Sequence, residues 1–202
     1  MQARERKRQK EQGGKMCKRL SVVVFSVLIV ASSAMALEMA GITMPDSMEA
    51  GQAKLVVNGA GVRTKWFMKL YVGGLYLKKK GHDGERIIAS DEPMAIRLHI
   101  ISSLITSEKM EKATREGFEK ATGGNTSPLK AEIEQFILVF KETINENDIY
   151  DLIYAPGKGV DVYKNKTHQC LIQGLDFKQA MFGIWLCDQP AQESLKKEML
   201  GK

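Results

Sequence analysis

A chain of 202 residues with a net charge of +6 is long enough for one domain with its own core, and no internal repeat divides it. The charge is unevenly placed: residues 1–36 carry eight Lys/Arg and two Asp/Glu, while the 22 basic side chains from Leu37 onward are balanced by 22 acidic ones. A neutral body excludes nucleic acid as a partner, because affinity for phosphates comes from clustered cations in excess, and it predicts weak attraction to anionic lipid surfaces.

The basic start reads as a targeting segment. Lys15, Lys18 and Arg19 precede the apolar run Leu20 to Val30, and Ala34-Met35-Ala36 supplies the small-x-small pattern read by signal peptidase. The expectation is a signal peptide over residues 1–36, cut after Ala36. The domain over residues 37–202 is then released to the periplasm of a Gram-negative cell or secreted, with no stable membrane anchor. Against the competing reading, an uncleaved anchor, stands a run of only about a dozen apolar residues where a spanning helix needs ~20. Met16 would itself make a conventional start, which makes residues 1–15 readable as an over-long gene start. Cys17 precedes the apolar run and is no lipoprotein cysteine. Cys170 and Cys187 remain, readable either as a disulfide or as two buried thiols.

From Leu37 a short linker runs through Pro45, and strands follow at about Lys54 to Asn58 and Val62 to Leu77. Asn58-Gly59-Ala60-Gly61 between them signals a turn or bulge. Arg63, Lys65 and Lys69 fall at odd positions of the second strand, so one face of its first half carries cations. Gly73-Gly74 marks a bulge or a close approach of backbone or ligand. Lys78 to Asp91 reads as a loop or short helix, and Ala95 to Ser102 as a strand. The period then changes: Met110, Ala113, Thr114, Gly117 and Phe118 recur at helical spacing until Gly123-Gly124-Asn125. Pro128 opens a second helix with the stripe Leu129, Ile133, Phe136, Ile137 and Phe140. Strands return at Tyr150 to Tyr154, Val160 to Tyr163 and Thr167 to Ile172, the last two joined by Asn165-Lys166. Asp176 is a good N-cap for a helix bearing Phe177, Ala180, Met181, Ile184 and Trp185, and Pro190 separates it from a last helix through Leu200. This order indicates an α+β fold with helices on one face of a largely antiparallel sheet.

Gly59-Ala60-Gly61-Val62-Arg63, leading into a strand that ends Leu75-Tyr76-Leu77, resembles the chalcone isomerase superfamily. Tyr154 to Gly159, Ile172 to Phe177, Ala180, Ile184-Trp185-Leu186 and Leu195 to Gly201 are similar to its bacterial chalcone isomerase-like branch, and the resemblance spans roughly Gly41 to Gly201. It implies the open-faced β-sandwich of the chalcone isomerase type. In the plant enzymes a phenolate oxygen adds to an enone within one molecule; an arginine holds the phenolate or a ligand carboxylate, and a threonine and a tyrosine polarise the carbonyl. Arg63 matches that arginine, and a guanidinium suits the role because its planar donors grip an oxyanion and stay charged in an apolar pocket. Tyr71 stands where the threonine belongs, and Thr106 and Ala113 stand near the places of the tyrosine and an asparagine.

With those partners changed, the resemblance implies a binding protein more than an enzyme. Its ligand is small and hydrophobic with an acidic head, fatty-acid-like, held by Arg63, Tyr71 and Thr106 without cofactor or metal. The alternative is an intramolecular lyase with Arg63 as anion binder and Tyr71 as carbonyl donor. A third reading, a partner-binding module, would be favoured by a pocket packed shut by Trp66, Phe67 and Tyr71. The bland readings stand beside these: Arg63 as a surface or salt-bridged residue, Tyr71 as core, and Tyr150, Tyr154 and Trp185 as core aromatics with satisfied polar ends. His82, His99 and His168 lack metal-ligand spacing, Ser102-Ser103 lacks a nucleophile elbow, and Pro156 to Gly159 reads as a β-turn. The oligomeric state stays open.

Overall fold

The computed structural model describes residues 37–202, so the leader expected over residues 1–36 lies outside the described residues. The chain opens with a small hairpin, β1 (Leu37–Met39) and β2 (Ile42–Met44). Seven strands then form one antiparallel sheet in chain order: β3 (Ser47–Ala50), β4 (Ala53–Lys65), β5 (Met68–Leu77), β6 (Met94–Ile100), β7 (Ile149–Ala155), β8 (Gly159–Lys164) and β9 (Thr167–Ile172). Five helices are interleaved: α1 (Gly84–Ala89), α2 (Ser107–Ala121), α3 (Lys130–Leu138), α4 (Leu175–Leu186) and α5 (Glu193–Met199). The architecture is the expected α+β one, a curled antiparallel sheet with its helices.

Because successive strand residues face opposite ways, the sheet has two cores. Tyr71, Leu75, Leu98, Leu152 and Val162 meet the helices, where Phe118, Phe136, Phe140 and Phe177 stack edge-on or tilted with ring centroids 5.3–6.0 Å apart. Each such ring pair contributes about 0.5–1.5 kcal/mol beyond its burial. On the other face Val72, Tyr76 and Ala95 lie under Met44 and Met48. The linker expected through Pro45 is therefore built as β1 and β2, which together with β3 cover this second face. Met44 also explains Gly74. The register is continuous there, and a Cβ at Gly74 would strike the Met44 methyl, so the glycine serves close approach and not a bulge.

Two other expectations change. Of the turn or bulge expected at Asn58 to Gly61, the bulge is what forms, between Val57 and Gly59 with β4 continuing through it, and the reversal comes at Trp66-Phe67, inside the stretch read as one strand. The cap of α4 is Gly174, whose φ of 104° swings the chain out of β9, and Asp176 lies in the first turn. Cys170 and Cys187 are free thiols.

Helix α4 is buried nearly all round, including Lys178. Lys178 Nζ donates to the carbonyls of Ile87 (3.1 Å), Ile88 (2.8 Å) and Ser90 (2.6 Å), closing the end of α1, and lies over the rings of Tyr154 and Phe182. Burial pulls its pKa down to about 8 against the opposing charge of Asp91. Tyr154 donates to Asp91 and Trp185 to Tyr71, but the buried Tyr150 hydroxyl finds no partner among the described residues.

Candidate functional site

The glycines of the Asn58 to Arg63 motif make a floor for α5. A Cβ at Gly59 would collide with the backbone of Glu198 and Met199, and one at Gly61 with the Glu198 side chain. Glu198 in turn accepts from Val62 N (3.2 Å). Asn58 fastens the far end: its Nδ2 donates to Met199 O (2.8 Å) and Gly81 O (2.9 Å), while its Oδ1 accepts from Gly81 N (2.8 Å). With the helix end seated on Gly59, its first residues reach Arg63.

Arg63 and Tyr71 are register partners on β4 and β5 and so share the helix-side face. Arg63 is half-buried. Its Nη1 donates to Thr64 O (3.0 Å) and to Gln192 Oε1 (3.0 Å). Gln192 Oε1 also accepts from Thr64 N (2.8 Å), and its Nε2 donates to Val62 O (3.2 Å). Gln192 holds the N-cap position of α5 but makes no cap bond to the helix backbone; its amide faces β4 while Nε2 also donates to Ser194 Oγ in the helix's first turn (2.6 Å). Both acceptors of Arg63 are neutral, and among the described residues no carboxylate lies within ion-pair distance of it.

Tyr71 is buried, and Trp185 Nε1 donates to its hydroxyl (3.0 Å). Burial holds the phenol above its ordinary range, against the pull of the Trp185 hydrogen bond and the Arg63 charge. It is therefore a neutral O–H whose proton remains free to be donated. Guanidinium and phenol together offer donors to a pair of oxyanion or carbonyl oxygens, with Leu75, Leu195 and Met199 in the same core. That chemistry is anchoring and polarising. No nucleophile or general base accompanies it among these residues.

Thr106 is placed otherwise. It is exposed and caps α2, its hydroxyl accepting from Lys109 N (3.4 Å), and among the described residues no hydrogen bond joins it to Arg63 or Tyr71. Trp66 and Phe67, the residues of the β4–β5 turn, are exposed and do not close the site. The clefts described lie elsewhere, one between α2 and α3 beside Arg115 and Ile133, the other beside His82 and Lys196. Gln192 is the residue that sequence reasoning missed. Its one signal is a polar side chain two positions after Pro190 at a helix start, and nothing in that points to a strand 129 residues away.

A search of curated proteins finds no match to this chain. Among solved structures, the fatty-acid binding protein AtFAP1 of Arabidopsis thaliana shares the fold at 16% identity and a TM-score of 0.65, over 82% of this chain and 95% of that one. A family model described as chalcone isomerase-like matches residues 36–201. Since that model spans nearly the whole of the described domain, the chain belongs to the chalcone isomerase-like family.

Proposed function

We propose that the protein is an exported, non-catalytic carrier that holds a small hydrophobic ligand with an acidic head, of fatty-acid type, by its carboxylate over Arg63. One observation carries the reading: Arg63 is a half-buried guanidinium whose partners are all neutral. A desolvated cation gains most from an anion that can take two of its donors, and a carboxylate fits that fork. Gln192 Oε1 sits where one carboxylate oxygen would, accepting from both Arg63 and Thr64 N. Binding then exchanges a neutral amide for an anion at the same donors, and the Tyr71 hydroxyl supplies a further one. The likeness to a plant fatty-acid binding protein supports the same ligand class. For the alkyl tail to enter the core, the segment joining α4 to α5, from Cys187 to Gln192, has to swing away from β4. It is held there by the Gln192 contacts and by Lys196 Nζ donating to Cys187 O (2.9 Å).

The test is a titration of the delipidated domain with long-chain fatty acids. The expected result is binding that weakens roughly 10- to 100-fold in Arg63→Ala, the loss of a charged hydrogen bond. No binding by the wild type, or equal binding by the variant, sinks the carrier reading. Loss of chalcone absorbance faster than in buffer, abolished in Arg63→Ala, would turn the protein into the intramolecular lyase instead. For export, the mature N-terminus isolated from cells is expected at Leu37, and an intact residue 20–30 segment on the mature chain overturns that part alone.

A further inference from the structure

The β4–β5 hairpin turns through Trp66 and Phe67, both in the left-handed region at φ 51° and 65°. The β8–β9 hairpin uses the same two-residue turn, with Asn165 and Lys166 at 51° and 69°. Turns of this type prefer Asn-Gly, and a bulky residue at positive φ is a strained outlier that persists where something else is served by it. Here the turn carries two rings into solvent. Trp66 is 79% and Phe67 104% exposed, the two most exposed large apolar side chains among the described residues, with Met68 beside them at 42%.

The surroundings are cationic. Lys65 pairs with Met68 and Lys69 with Thr64, so two lysines stand at the base of the turn on either side of the rings in the chain, and the hairpin from Ala53 to Leu77 contains no acidic side chain. The neutrality of the whole body hides a locally basic protrusion. Aromatic rings between lysines match the chemistry of a bilayer interface, where rings settle at headgroup level and lysine stems reach back to the phosphates. A convex two-residue tip also suits a deformable surface better than a preformed socket. No described helix is long and apolar enough to cross a membrane, so such a contact is peripheral.

We propose that the Trp66-Phe67 turn is a membrane-docking tip that inserts into the interface of bilayers containing anionic lipid. Arg63 and Tyr71 stand on the two strands that this turn joins, so docking brings the anchor to the surface from which an amphiphile is drawn. That last consequence rests on the carrier reading, whereas insertion does not.

The described residues 37–202 lie in one compact unit, so the test uses the domain from Leu37 with phosphatidylcholine vesicles containing about a quarter phosphatidylglycerol. The chain has two tryptophans, and Trp185 is buried, so emission changes report on Trp66. The expected result is a blue shift and quenching by lipids brominated in the upper acyl chain, both lost in Lys65→Glu/Lys69→Glu. In vesicle flotation Trp66→Asn/Phe67→Gly, which restores the residues this turn prefers, keeps its fold and its fatty-acid affinity but partitions at least ~tenfold more weakly. No shift on anionic vesicles, equal partition of the turn variant, or equal binding to pure phosphatidylcholine overturns the proposal. Intact vesicle binding without fatty-acid binding would remove the carrier reading and leave the docking tip standing; the reverse result removes only the tip.

Discussion

Two arginines on this sheet meet opposite fates. Arg97 on β6 pairs in register with Gly74 and Arg63 on β4 with Tyr71, which puts them on opposite faces. Arg97 is gripped by Asp151 on the neighbouring strand, Nε to Oδ1 at 2.6 Å and Nη2 to Oδ2 at 2.8 Å, with both side chains largely buried. Burial is the largest single influence and works against its charge, yet the Asp151 hydrogen bonds and the Asp151 charge, with a smaller pull from Tyr76, together outweigh it and raise the pKa above the ordinary value. Arg63 has only an amide and a carbonyl. A charge cancelled within the fold holds the sheet together. One left uncancelled in a half-buried position remains available to an anion from outside.

The comparison is broken most directly through Asp151. Asp151→Ala strands the Arg97 charge and is expected to cost about 3–5 kcal/mol in urea unfolding, while Arg97→Met/Asp151→Leu comes out near neutral. If Arg63→Ala destabilised the fold as much as Asp151→Ala, the distinction between a structural and a receptive arginine would collapse; the expected cost is only about 1 kcal/mol.

Lys178 is the second satisfied cation and gives the next effect. Lys178→Met leaves three carbonyls at the end of α1 without their donor, an expected loss of about 1–3 kcal/mol. Its pH signature has a definite sign. With a folded pKa of about 8 below the unfolded value, the unfolded chain holds the extra proton between those two pH values. Stability from this group therefore rises with pH across that window and is flat below it. The raised pKa of Cys170, about 11, acts in the opposite sense, so the difference between wild type and Lys178→Met isolates the lysine. A difference that does not change between pH 8 and 10 refutes the assignment.

The smallest effect sharpens the Arg63 side of the contrast. Gln192→Ala removes the neutral competitor for its donors, and fatty-acid affinity is expected to rise by about threefold, within the worth of one neutral hydrogen bond. Weaker binding in that variant would mean that Gln192 holds the ligand instead of standing in for it.

Much of this was legible in the chain and the rest had physical reasons to be hidden. The stripe Met110, Thr114, Gly117 and Phe118 gives α2, and Asn165 marks the β8–β9 turn because asparagine tolerates its left-handed first position. Arg63 stood out because its glycine frame has a steric purpose, the seating of α5. The Trp66-Phe67 turn was invisible because both residues are strand formers and poor left-handed ones, so pattern ran straight through it. Met44 read as linker, and β3 around Met48 went unread, because β2 and β3 are too short to show a period. Gln192 and Trp185 join Arg63 and Tyr71 through contacts 129 and 114 residues apart, which no local pattern encodes.

That separation gives the molecule an order in time. The β4–β5 hairpin closes over two residues by local pairing, although its stability comes later from β6 and the helices, whereas the setting of Arg63 waits for a loop of more than a hundred residues to close. Loop closure of that length lags behind local pairing during folding. In the nascent molecule the Trp66-Phe67 turn can therefore form while the frame around Arg63 is still incomplete.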